Sequence, residues 1–216
     1  MTRMVVAILV LAALALGASP LSAQPKIEFE KDAVVARGVT PGGSVVWFGV
    51  TRDRPGWTNR VVRRDALVTD SDGDGVVRLD LGVPVAPQSI WTAVDLPSGA
   101  VAVATPEGMP RREVALPVGA FRGSARGVVE TVEDARQFLE ILVVRPGEGS
   151  WTLSVGDGGA SDGDLQSDGR IQATLAAMRP AAATKTAPSQ LLPGDVVVVV
   201  DPRLMEFYVT TFGKTQ

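Results

Sequence analysis

The residues best suited to chemistry in this chain are carboxylates. In "TDSDGDG" (Thr69–Gly75), Asp70, Asp72 and Asp74 stand on alternate positions and Gly75 follows them. That is the spacing of the first three ligands of a helix–loop–helix calcium site, with a glycine where such a loop turns sharply. The twelfth position is Leu81 rather than a bidentate glutamate, and strand-like sequence flanks the run, so an EF-hand is excluded. Two readings stay open. Asp-Gly pairs make tight turns with solvated carboxylates. Alternatively, the three carboxylates, a backbone carbonyl and water hold Ca2+ between strands or between domains. Repulsion among three like charges favours a cation, although solvent screens much of it. A second acidic loop, "GDGGASDGDLQSDG" (Gly156–Gly169), places Asp157, Asp162, Asp164 and Asp168 at looser spacing. It is a second candidate calcium site, and its glycines suit a surface excursion equally well.

Other catalytic chemistry is restricted by what is missing. The chain has no histidine and no cysteine. Serine–histidine and cysteine–histidine nucleophiles, histidine bases and nearly all zinc or copper sites are thereby removed. Lysine occurs only at Lys26, Lys31, Lys185 and Lys214, and none of these completes a Ser-x-x-Lys motif. A carboxylate pair is what remains, because separation in sequence says little about separation in space. A non-catalytic protein is the preferred reading, with a carboxylate-pair hydrolase as one alternative.

Among the tryptophans, Trp47, Trp91 and Trp151 sit inside β-like runs, where burial in a sandwich core is expected. Trp57 instead follows Pro55 and Gly56, near Arg52, Arg54 and Arg60. A loop tryptophan beside arginines contacts a glycan or a protein partner, or folds back over the sandwich edge. The first possibility defines a second alternative, a carbohydrate-binding module.

The amino terminus reads as an export signal. Arg3 precedes an apolar run, Met4–Ala18, and small residues lead to Ala23. The run is about 15 residues, short of the roughly 20 a spanning helix needs, so cleavage near Ala23 is expected. Roughly 190 residues then remain, enough for one large domain or two small ones. The protein is expected to be secreted or periplasmic, with no transmembrane anchor in the mature chain. Export without cysteine suits a bacterial protein that gains nothing from disulfides. A formal net charge of −3 excludes the broad positive field that nucleic acid requires. The local cluster "RVVRR" (Arg60–Arg64) is read as a solvated strand.

The elements that must carry these residues are short alternating runs broken by glycine, proline and aspartate. Seven strands are expected between Lys26 and Thr105, with a hairpin across "PSG" (Pro97–Gly99). In the second half, "QFLEILVVRPGEGSWTLSV" (Gln137–Val155) reads as a hairpin across "RPGEG". A helix competes at its start, with Thr131 as cap and Val132, Ala135, Phe138, Leu139 and Leu142 at helical spacing. Strand is preferred, because Ile141, Val143 and Val144 are β-branched and run into a Pro-Gly turn. The five valines of "DVVVVVD" (Asp195–Asp201) suit a strand covered on both faces.

The layout "ARGVTPGGSVVWFGV", "ALVTDSDGDGVVRLDL" and "SIWTAVDLPSGAVAVATP" resembles bacterial immunoglobulin-like domains of surface proteins. The matching turn positions are Gly38, Pro41, Gly42, Asp70, Asp72, Gly73 and Gly99, within about residues 26–106. The usual closing asparagine is replaced by Ala100. The resemblance implies a binding or surface-assembly role, with a protein or glycan partner at the cell surface or in the periplasm. The expected organisation is a signal at 1–23, an immunoglobulin-like β-sandwich at 24–106, and a second β-rich domain or extension at 107–216.

Overall fold

The computed structural model describes residues 24–52, 61–106, 121–123, 128–131, 138–163, 165–166, 171–181, 186–202 and 205–213. The expected signal at 1–23 lies outside them, as does the start of the second half, 107–120.

The first seven strands are β1 (Lys26–Phe29), β2 (Ala33–Arg37), β3 (Ser44–Arg52), β4 (Val61–Thr69), β5 (Val76–Asp80), β6 (Ser89–Asp95) and β7 (Val101–Ala104). They form two antiparallel sheets, β1-β2-β5 and β4-β3-β6-β7. This is an antiparallel β-sandwich whose fourth strand sits in the sheet of the third, sixth and seventh. Its core holds Val34, Ala36, Val45, Trp47, Val77 and Trp91. The two indoles meet edge to face, 6.5 Å apart at 77°, a favoured aromatic geometry. Gly49 lies opposite Trp91 in the β3–β6 register. A Cβ there would come within 2.5 Å of the indole, so the glycine makes room for the ring.

The second half supplies β8 (Phe121–Gly123), β9 (Val128–Thr131), β10 (Leu139–Arg145), β11 (Gly149–Val155), β12 (Ile171–Thr174), β13 (Arg179–Pro180), β14 (Val196–Asp201) and β15 (Glu206–Thr211). A single turn of 3-10 helix, Leu175–Ala177, follows β12. The strands form a third sheet, β13-β11-β10-β14-β15, and a fourth, β12-β9-β8. The hairpin expected across "RPGEG" is present, with Arg145 opposite Gly149. Strand wins over helix from Leu139 to Arg145, while residues 132–137 lie outside the description.

The sheets stack, and the stacking explains which runs lack alternation. One face of β3 turns Val45 and Trp47 toward the first sheet. The other turns Val46, Phe48 and Val50 toward Leu142, Val144, Val196, Val198 and Phe207 of the third sheet. The third sheet's far face carries Leu139, Ile141, Val143, Trp151, Val197 and Val199 against Ile171 and Ala173 of β12. The second and third sheets are therefore covered on both sides, and β6 and β14 are buried along their whole length. A strand with no solvent face has no reason to alternate, which is why five valines occur in a row. Each fully buried side chain of this size stabilises by roughly 1.5–3 kcal/mol, so the shared layer is a major part of the core. The two hairpin tips also touch: Gly147 donates its N–H to the Leu96 carbonyl at 2.8 Å.

Candidate functional site

The acidic turn after β4 is built around one buried aspartate. Asp70 is 3 % exposed. Its carboxylate accepts N–H bonds from Gly42 at 3.0 Å, Gly73 at 3.0 Å and Gly75 at 2.9 Å. Its own N–H donates to the Gly43 carbonyl at 2.8 Å. Asp70 thus ties the β2–β3 turn to the β4–β5 turn. Gly75 has φ +76°, a conformation that side chains resist, and a Cβ there would press on the Val39 carbonyl at 3.2 Å. Asp95 grips the same β2–β3 turn from the other side, accepting the Thr40 hydroxyl at 2.6 Å and the Ser98 hydroxyl. The Pro-Gly turn and the Asp-x-Asp-Gly turn noted in the sequence are two ends of one clamp.

Asp72 and Asp74 remain exposed, and Asp74 accepts the Val76 N–H at 2.8 Å. One carboxylate oxygen from each of Asp70, Asp72 and Asp74 falls within 4.8 Å of the others. Burial alone would raise the Asp70 carboxyl, but the N–H donors of Gly42 and Gly75, the hydrogen bond with Asp72 and the Gly73 N–H hold it below the ordinary range. Asp72 is pushed up, first by its hydrogen bond with Asp70 and further by the charges of Asp74 and Asp70.

The second acidic loop is used differently. Asp162 is buried and accepts N–H bonds from Gly158 at 3.0 Å and Gln172 at 2.9 Å, pinning the loop to β12. Asp157 is half-buried, and Asp164 and Asp168 lie outside the described residues. Among the described residues, the Asp70 group is the one acidic trio whose oxygens converge. Trp57 also lies outside the description. Trp47, Trp91 and Trp151 are core residues, as their strand positions implied.

A second charged group escaped the sequence reading. Arg63 and Asp65, alternate residues on β4, face the third sheet rather than solvent. Arg63 Nε lies 3.1 Å from Asp65, and its Nη1 lies 3.2 Å from Glu140 on β10. Ser154 of β11 donates to Glu140 at 2.7 Å and accepts from Arg63 at 3.0 Å; Thr152 donates to Asp65 at 3.2 Å. The reading of "RVVRR" as a solvated strand therefore fails at Arg63, because a second sheet covers that face. Burial raises both carboxyls, with Arg63 and Thr152 offsetting part of the shift at Asp65, and Ser154 and Arg63 part of it at Glu140. The one available signal was Glu140 itself, a charge inside the apolar run "FLEILVV". An acid there must be buried, and a buried acid must find partners.

No family model matches the chain, and no curated protein matches it. Among the described residues, no helix is long and apolar enough to cross a membrane.

Proposed function

We propose that the protein is an exported, non-catalytic binding or surface-assembly module whose first sandwich is stiffened by Ca2+ at Asp70, Asp72 and Asp74. The observation that carries the metal reading is the convergence of three carboxylate oxygens within 4.8 Å at the point where two turns are clamped together. Calcium takes six to eight oxygens at about 2.3–2.6 Å, and water and turn carbonyls complete such a set. A cation there would relieve the contact between Asp72 and Asp70 and would lock both turns at one end of the sandwich. A binding or assembly role agrees with a rigid four-layer stack in which buried aspartates brace the turns. It also agrees with an amino-terminal segment that has the pattern of an export signal.

Thermal unfolding with excess Ca2+ and with chelator tests the metal reading. A melting temperature raised by Ca2+ and lost in a combined Asp72→Asn, Asp74→Asn variant is expected; identical curves would sink it. Export is tested by the amino terminus of the mature protein, expected close to Gln24. A carboxylate-pair hydrolase remains as a second reading because Asp65 and Glu140 share a partner, Arg63. The guanidinium holds both carboxylates in place, which suits structure better than proton transfer, and a broad glycosidase screen is expected to show no turnover.

A further inference from the structure

A cleft of about 250 Å³ opens at the margin where β4 meets β11. Arg63, Thr152, Ser154, Ser161 and Arg179 supply its polar lining. The walls thus come from the second sheet, from the third sheet and from the loop after β11.

The charges in this lining are unequally spent. Arg63 is neutralised by Asp65 and Glu140. Arg179 is exposed, and among the described residues no carboxylate pairs with it. Among the described residues of the lining, one positive charge is left over. The hydroxyls of Thr152 and Ser154 donate inward, to Asp65 and Glu140, so the lone pairs left over accept. Among the described residues, the cleft therefore offers one unpaired cation, Arg179, and hydroxyl oxygens that can accept. An apolar ligand would strand these groups without hydrogen bonds. A polyanion would find only one unpaired cation among the described residues of the lining, with Arg63 already held by Asp65 and Glu140. The volume lies below the roughly 300–1,000 Å³ of pockets that take drug-sized ligands, so the occupant is about one sugar ring in size.

We propose that this cleft binds a small hydroxylated carboxylate, a sugar acid. Its carboxylate pairs with Arg179 and its hydroxyls donate to the hydroxyl oxygens of Thr152, Ser154 and Ser161. This site is separate from the calcium reading.

Glucuronate, glucose and sulfate are the probes, titrated onto the full chain by calorimetry and ligand-observed NMR. Saturable glucuronate binding is expected, with glucose and the Arg179→Gln variant each weaker by about tenfold, the loss of one charge-assisted contact. Ser161→Ala is expected to weaken it less. Both substitutions spare the buried cluster, so far-ultraviolet dichroism and melting temperature stay at the parent values. The Asp72→Asn, Asp74→Asn variant is expected to bind glucuronate normally, which separates this site from the metal. Absence of saturable glucuronate binding overturns the proposal. So does binding indifferent to Arg179→Gln, and so does sulfate binding equal to glucuronate, which would make this an adventitious anion site only.

Discussion

Asp70 at the acidic turn and the pair Asp65 and Glu140 between the sheets have opposite preferences for the proton. At the turn, Asp70 is surrounded by three N–H donors, and its ionised form is favoured. Between the sheets, Glu140 and Asp65 are buried more deeply than their partners can offset, and their neutral forms gain. The side-chain chemistry is the same. Backbone donors brought by a local turn decide the first case, and the stacking of a distant sheet decides the second.

The largest effect should come from the inter-sheet group. Arg63→Ala leaves Glu140, whose side chain is 4 % exposed, without its guanidinium. We expect a loss of about 3 kcal/mol at pH 7 by denaturant unfolding, shrinking at acidic pH as Glu140 takes up a proton. A loss that stayed constant with pH would break the contrast. Asp70→Asn comes next. An amide keeps one acceptor oxygen and turns an NH2 toward N–H groups, so the clamp between the two turns weakens. A clear drop in melting temperature, greater than for Asp72→Asn or Asp74→Asn, is the expected result.

The pH dependence sharpens the comparison further. Asp70 has a folded pKa below its unfolded value. Its contribution is present above the ordinary carboxylate range, about pH 4, and is lost as pH falls through the folded value. Glu140 and Asp65 have folded values above their unfolded ones. Their contribution is present below about pH 4 and is lost as pH rises through the folded values. Against Glu140→Gln, the parent protein should therefore lose relative stability as pH rises; against Asp70→Asn it should gain. Parallel profiles for the two variants would refute the distinction. The smallest effect without metal is expected from Asp72→Asn and Asp74→Asn, because both side chains are exposed; only their calcium response should vanish.

Much of the architecture was legible because turn chemistry is local. Pro41-Gly42, Asp70 with Gly73 and Gly75, and Pro146-Gly147 each marked a reversal, and runs of valine and tryptophan between such marks became strands. The valines of β14 also announced a strand covered twice. What covered it was not legible, since packing of β3 on β10 joins residues almost a hundred positions apart. Arg63, Asp65 and Leu67 alternate as a solvent face does, and only the third sheet turns that face inward. The short strands β8 and β13 carried no periodic signal. For the acidic turn, spacing pointed to the trio. That Asp70 alone is buried followed from its contact with Gly42, which spacing in one loop does not encode.

The layer shared by the middle sheets has a consequence for biosynthesis. A nascent chain that has completed β7 holds Val46, Phe48, Val50, Ile90 and Val94 on a bare greasy plane. No cover exists until β10 and β14 have been synthesised. Any product cut between the halves keeps that plane uncovered and sticks to its neighbours, so the two halves must arrive together.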